Sequence, residues 1–216
     1  MAKSKNKPVK FTRYSPPAGK EKVLIFDIET APIIAHVWGL WENNVGLNQI
    51  QSDWHCLSWS AKWKGAPDTE VMYMDQRNAK RVEDDSELLE AIWELLDEAD
   101  VVITQNGKSF DQKKLNARFI IMKIKDRHPP SSYKHEDTKI IAQRHFNFPS
   151  YKLEYMTDKL CVKYKKLKHK NFPGHEMWTE CLKGNILAWK EMEMYNKHDV
   201  LALEELYEVL SPWHGN

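Results

Sequence analysis

Apolar residues along the chain recur at two spacings, and these assign most of its secondary structure. Val23 to Phe26 is a short continuous apolar run, read as the core of a first strand over residues 22–29. Two further runs, 55–63 and 69–74, flank a Gly65-Ala66-Pro67-Asp68 turn and predict an antiparallel meander with that strand. Behind Asp84, Asp85 and Ser86, the positions Leu88, Leu89, Ile92, Leu95 and Leu96 repeat at helical spacing. Val101, Val102 and Ile103 then run as a strand into Asn106-Gly107. A helix is expected to begin near Ser109 as its N-cap, with Asp111, Leu115 and Phe119 on the inward stripe. After Pro129-Pro130, residues 133–137 read as a fifth strand, followed by helices over 138–146 and 152–161. The last helix, Ile186–Leu210, turns Met192, Tyr195, Ala202, Leu206 and Leu210 to one side. Residues 36–53 follow neither period and are expected to form an irregular excursion.

Composition narrows the class. A chain of 216 residues with 42% hydrophobic residues can bury one substantial core. No apolar run approaches the roughly 20 residues of a membrane span, and the basic start MAKSKNKPVK lacks the apolar segment of a secretion signal. Cys56, Cys161 and Cys181 are scattered without a Cys-x-x-Cys pair, so neither a disulfide framework nor a zinc knuckle is indicated, and a reducing cytoplasm is expected. The net charge of +1 conceals an asymmetry, since residues 1–22 carry seven basic side chains against one acidic one. With Pro8, Pro16, Pro17 and Gly19, residues 1–21 read as a flexible basic tail, able to reach for polyanions or simply to remain solvated.

Against this background a few polar residues fall at costly positions. In an extended strand Asp27 and Glu29 point the same way as Val23 and Ile25, which sets two strand-disfavoured carboxylates at the edge of a buried face. At close range they repel by roughly 1 to 4 kcal/mol unless a cation lies between them, and a hard divalent metal is the usual remedy. Taken alone, the pair also fits solvated residues at a strand end. Asp111 in the first turn of its helix likewise suits the helix dipole without any further role. Asp199 is harder to place so. It lies in the apolar stripe of the last helix one turn after Tyr195, where a charge is costly unless paired or metal-bound. The run KYKKLKHK, with Lys163, Lys165, Lys166, Lys168 and Lys170, reads either as a solvated face or as a track for phosphates.

Taken in order, FDIET, NGKSFD and YNKHD resemble the three motifs of the DEDD superfamily of 3′-to-5′ exonucleases, in its tyrosine-bearing subgroup. The resemblance covers residues 22–213, includes the intermediate DTKIIAQRHF, and is nearest to single-domain members encoded by bacteriophages, which would place the protein in a bacterial host cytoplasm. The histidine subgroup carries its histidine five residues before the last aspartate. Here that position is Met194. The resemblance implies an α/β ribonuclease-H-like domain, with a mixed five-stranded sheet and helices on both faces. It also implies two divalent ions, Mg²⁺ or Mn²⁺, with Asp27 bridging both, Glu29 and Asp199 on the first and Asp111 on the second. Tyr195 would orient the attacking water. Thr30, Asn106 and Phe110 would touch the terminal nucleotide, with Lys163, Lys165 and Lys166 along the strand. The substrate implied is a single-stranded 3′ end, DNA before RNA; an exoribonuclease, or a nucleic-acid-binding module without catalysis, are the competing readings.

Overall fold

The computed structural model describes residues 19–41, 43–167 and 171–214. Nearly all of the basic lead-in expected over 1–21, and Lys168 and Lys170 of the lysine run, lie outside these residues. In chain order the strands are β1 (Val23–Thr30), β2 (Ile34–Ala35), β3 (Ile50–Ser52), β4 (Cys56–Trp63), β5 (Met72–Asp75), β6 (Val101–Thr104) and β7 (Lys134–Asp137). The helices are α1 (Ser86–Glu98), α2 (Asp111–Ile121), α3 (Thr138–His145), α4 (Leu153–Leu160), α5 (Glu176–Leu182) and α6 (Ile186–Leu210).

The main sheet has the order β5-β4-β1-β6-β7. The meander β1-β4-β5 is antiparallel, whereas β1, β6 and β7 run parallel because α1 to α2 supply the crossovers between them. This places β1 at the centre, hydrogen bonded on both edges. Its alternation divides the core in two. Leu24, Phe26 and Ile28 pack with Trp59 and Ala61 of β4 against Leu88, Leu89 and Ile92 of α1 and Leu115 and Phe119 of α2. Ile25 turns to the opposite face and meets Ile103 together with Val200 and Leu203 of α6. Asp27 and Glu29 share the parity of Ile25 and therefore look toward α6.

Three features depart from the sequence reading or add to it. Residues 36–53 are irregular only in their middle, because β2 and β3 pair as a short antiparallel ribbon that closes the excursion at its base. The second helix starts two residues beyond Ser109. Its N-cap position is Phe110, whose ring offers no acceptor for a side-chain cap, and a turn in which the Ser109 and Phe110 N–H groups donate to the Asn106 carbonyl precedes it. The third is α5. Its seven residues are too short to show a clear helical period, yet Met177 and Cys181 bury against Ala188, Trp189 and Met192 of α6.

One buried ion pair ties the α1 side together. The carboxylate of Asp85, fully enclosed, accepts from Arg118 Nε at 2.9 Å and from Arg118 Nη2 at 2.5 Å, and also takes the Cys56 N–H at 2.8 Å. It thus joins the start of α1, the start of β4 and the helix that carries Asp111. Asp85→Ala strands a buried guanidinium, so the expected loss is about 3–5 kcal/mol of unfolding free energy. Denaturant melts with an unchanged m value are the measurement, and a variant as stable as its parent would show that Arg118 finds water instead.

Candidate active site

The carboxyl end of β1 is where the polar residues gather. Its pairing with β4 slips between Glu29 and Thr30, a bulge that bends the strand as it leaves the sheet. Asp27 Oδ2 accepts a hydrogen bond from Asn196 Nδ2 at 2.7 Å, and Asn196 Oδ1 in turn accepts from Ser58 Oγ at 3.3 Å. Glu29 Oε2 accepts from the indole N–H of Trp178 on α5 at 2.9 Å. Both carboxylates are half-buried, so each is steered by a neutral donor rather than by a counter-charge.

Asp111 reaches the same place from α2. Its Oδ1 accepts the Ile28 N–H at 3.2 Å, and the side chain is buried. The loop before it is built to deliver it. Asn106 adopts φ 66°, a left-handed conformation that asparagine tolerates. A Cβ on Gly107 would stand 2.2 Å from Thr104 Oγ1, so only glycine fits the close pass of the loop over β6. Asp137, buried at the end of β7, holds this loop by accepting the N–H groups of Asn106 at 2.9 Å and Lys108 at 3.1 Å while also capping α3 through Lys139 N–H at 3.0 Å. Lys139 Nζ closes the ring on Asn106 Oδ1 at 3.0 Å.

From α6 come Tyr195 and Asp199, both buried and one turn apart. Lys166 Nζ lies 2.6 Å from Asp199 Oδ2 and 4.6 Å from the centroid of the Tyr195 ring. Its segment is fastened to two helices. Glu205 of α6 accepts the N–H groups of Val162, Lys163 and Tyr164, His198 Nε2 donates to the Lys165 carbonyl at 2.6 Å, and the Lys166 N–H donates to Thr157 Oγ1 of α4 at 3.2 Å.

The electrostatics follow from this crowding. Burial, followed by the negative charges of Asp111, Glu29 and Asp199, holds the Asp27 pKa well above the usual carboxylate range, with Lys166 pulling the other way. Glu29 is pushed up to about 7 by burial and by Asp199, although the Trp178 hydrogen bond and Lys166 oppose the rise. Asp111 is also pushed up to about 7, chiefly by burial, despite the Ile28 N–H. For Lys166 burial works against the ammonium, but Asp199 and Tyr195 outweigh it and raise its pKa. Burial and then Asp199 push the Tyr195 phenol up, so its proton stays on at neutral pH.

Four carboxylates within electrostatic reach of one another, with neither His nor Cys among them, are the donor set of a hard divalent cation such as Mg²⁺ or Mn²⁺. As they stand, no three His, Cys, Asp or Glu side chains among the described residues converge closely enough to enclose an ion. Asn196, Trp178 and Lys166 hold oxygens that an ion would claim. The donor chemistry therefore fits, and side-chain rotation has to complete the geometry.

Of the residues singled out from sequence, Asp27, Glu29, Asp111, Tyr195 and Asp199 come together. Thr30 stands at the bulge, half-buried. Asn106 is tied up by Lys139, and Phe110 is exposed beside Asp111. The lysine run splits. Lys166 meets the acids, Lys165 pairs with Asp158 at 3.4 Å, and Lys163 turns toward Asp68 at 2.6 Å, away from the others. Asn196, Trp178, Asp137 and Lys139 were not singled out as site residues. Asn196 adjoins Tyr195 on the buried side of α6, which was the one available sign.

Comparison with known proteins agrees with this architecture. No curated protein matches the chain by sequence. The family B DNA polymerase of the hyperthermophilic archaeon Pyrobaculum calidifontis shares the fold with a TM-score of 0.60 at 14% identity, over 91% of this chain and 25% of that one. This chain thus spans a quarter of the polymerase. Residues 65–211, more than half of the chain, match the sequence profile of the RNase_H superfamily. That segment includes Asp111, Tyr195 and Asp199 but begins after β1, so Asp27 and Glu29 are joined to it through the sheet. With its mixed five-stranded sheet flanked by helices, the chain belongs to the RNase_H superfamily.

Proposed function

We propose that the chain is a metal-dependent 3′-to-5′ exonuclease of the tyrosine-bearing DEDD type, removing nucleotides from single-stranded 3′ ends, with DNA as the preferred substrate. In this reading residues 22–213 are the nuclease domain and 1–21 a basic tail. The observation that carries it is the meeting of Asp27, Glu29, Asp111 and Asp199, from three separate elements, beside the buried Tyr195 hydroxyl. Fold likeness to a DNA polymerase favours DNA as the strand.

Asp27, Glu29, Asp111 and Asp199 would hold two divalent cations, which when bound supply a water of lowered pKa and positive charge for the phosphate oxygens. Tyr195, protonated across the neutral range, donates a hydrogen bond and positions water or phosphate; it is no general base. Lys166 is held by Asp199, and if a cation took that oxygen its ammonium would be free to meet the scissile phosphate. The exposed Phe110 ring can stack on a terminal base of any identity. The test is incubation of 5′-labelled single-stranded DNA, duplex DNA and RNA with Mg²⁺, Mn²⁺ or EDTA. A metal-dependent ladder shortening from the 3′ end of the single strand is expected. Cleavage of circular single strands, or no products, would overturn the reading.

Tyr195→Phe should keep the fold and slow single-turnover cleavage by roughly 10- to 1000-fold, the range for losing one positioned hydrogen bond. A rate equal to the parent's would reduce the phenol to a packing residue.

Protonation gives a second consequence. Carboxylates raised from about 4 in the unfolded chain to about 7 in the fold bind protons that the unfolded state releases. Their contribution to stability is complete below about pH 4 and is lost as pH rises through about 7. His55, whose pKa burial lowers, acts in the opposite sense, so the comparison needs a variant. In EDTA, melting temperature should fall from pH 5 to pH 8 more steeply for the parent than for Asp27→Asn, which relieves the repulsion. Mg²⁺ or Mn²⁺ should restore the parent above pH 7 and do little for the variant, which should also lose cleavage. Parallel pH profiles in EDTA would show that the acids do not interact.

A further inference from the structure

A groove leaves the acidic cluster between the start of α3, the start of α4 and the segment that carries Lys166. Its nearer lobe, about 530 Å³, is walled by Gln105, Asn106, Lys139, Tyr151, Lys152 and Lys166. Its farther lobe, about 580 Å³, shares Lys152 and Lys166 with the first and continues past Tyr155 to Lys159 and Lys165. Both lobes open to solvent along their length, the shape suited to a laid-in chain rather than to an enclosed small molecule. At the near end Lys166 touches Asp199, and Asn106 belongs to the loop that sets Asp111, so the groove begins where the acids are.

The charge along it is unevenly used. Five lysines face two acids, Glu154 and Asp158. Asp158 is shared by Lys159 at 3.1 Å and Lys165 at 3.4 Å, and all three side chains are more than half exposed. Such pairs are worth little in water and give way readily to a phosphate. Lys139 rests on a neutral amide oxygen, and Lys152 has no ion pair among the described residues. The groove therefore presents cations that can be taken over by an anion. Its two amides are engaged within the fold, Gln105 by Tyr151 and Thr138 and Asn106 by Lys139, so lysines are its chief donors and the partner it fits is a backbone and not a sequence.

Building on the exonuclease reading, we propose that this groove binds the phosphates of the single strand 5′ to the nucleotide being removed. Lys166 and Lys139 lie nearest the reacting phosphate, Lys152 lies where the two lobes meet, and Lys159 and Lys165 lie farther out. Affinity then grows with oligonucleotide length until the groove is filled, with little dependence on sequence.

The experiment compares the full chain with Lys152→Ser/Lys159→Ser and with Lys22→Ser/Lys125→Ser, a matched loss of two positive charges at lysines that pair with Glu98 and Glu94 away from the groove. Binding of fluorescein-labelled oligothymidylates of 2, 6 and 15 nucleotides is titrated against salt in the Asp27→Asn background. Each lost phosphate contact removes about 0.7 from the slope of log affinity against log salt, so the double variant should be flatter by about 1.4 for the 15-mer. It should match its parent for the dinucleotide. In the active background the KM for the 15-mer should rise while turnover of the dinucleotide holds. An unchanged slope, or an equal flattening from Lys22→Ser/Lys125→Ser, would overturn the groove assignment. If the slope depends on these lysines but the parent degrades no nucleic acid, the groove stands and the exonuclease reading falls.

Discussion

Like charges held together at the end of β1 are the constraint around which the rest of the molecule is arranged. Two carboxylates about 4 Å apart near a protein surface repel by about 4 kcal/mol, and here four lie within reach of one another. Nothing local to Asp27 or Glu29 holds them there. Rigidity comes from β1 being paired on both edges, from α6 packing Val200 and Leu203 onto Ile25 and Ile103, and from Asp85 and Arg118 locking α2 to β4. Donors then soften the repulsion one oxygen at a time. Asn196, Trp178, the Ile28 N–H and Lys166 each take one of the four acids.

The parallel half of the sheet performs a different task from the antiparallel half. On the antiparallel side β4 is buried along its whole length, and even Lys62 is enclosed against Glu204, so that side serves as foundation. On the parallel side the carboxyl ends of β6 and β7 lead into the Asn106 loop and into α3. There Asp137 gathers the N–H groups of the Asn106 loop and aims the first turn of α2 at β1. The same carboxylate begins α3, one wall of the lysine groove. A single buried acid that is neither in the cluster nor in the groove thus fixes the relation between them. The acidic cluster and the lysine groove can be aligned only because they hang from one rigid edge.

Lys166 joins these two regions. Its ammonium neutralises part of the acidic cluster, and the residue also lines both lobes of the groove. In the exonuclease reading a divalent cation would compete with the lysine for the Asp199 oxygen, and a strand phosphate would compete with Asp199 for the lysine. Both would therefore favour the same rearrangement.

Much of this was determined by the sequence alone. Period two placed Asp27 and Glu29 on one side of β1, and period 3.6 placed Asp111 and the pair Tyr195 and Asp199 on inward faces. These are short-range geometric facts, fixed by backbone repeat, and the helix Ile186–Leu210 is found with the bounds its stripe predicts. Tertiary structure decided which polar groups meet. Trp178 donates to Glu29 across 149 residues and Asn196 to Asp27 across 169, distances over which no periodicity carries information. The lysine run is the clearest case. All five residues look alike in sequence, yet Lys163 is drawn to Asp68 and Lys166 to Asp199, because Glu205, His198 and Thr157 on two packed helices set the path of the backbone between them.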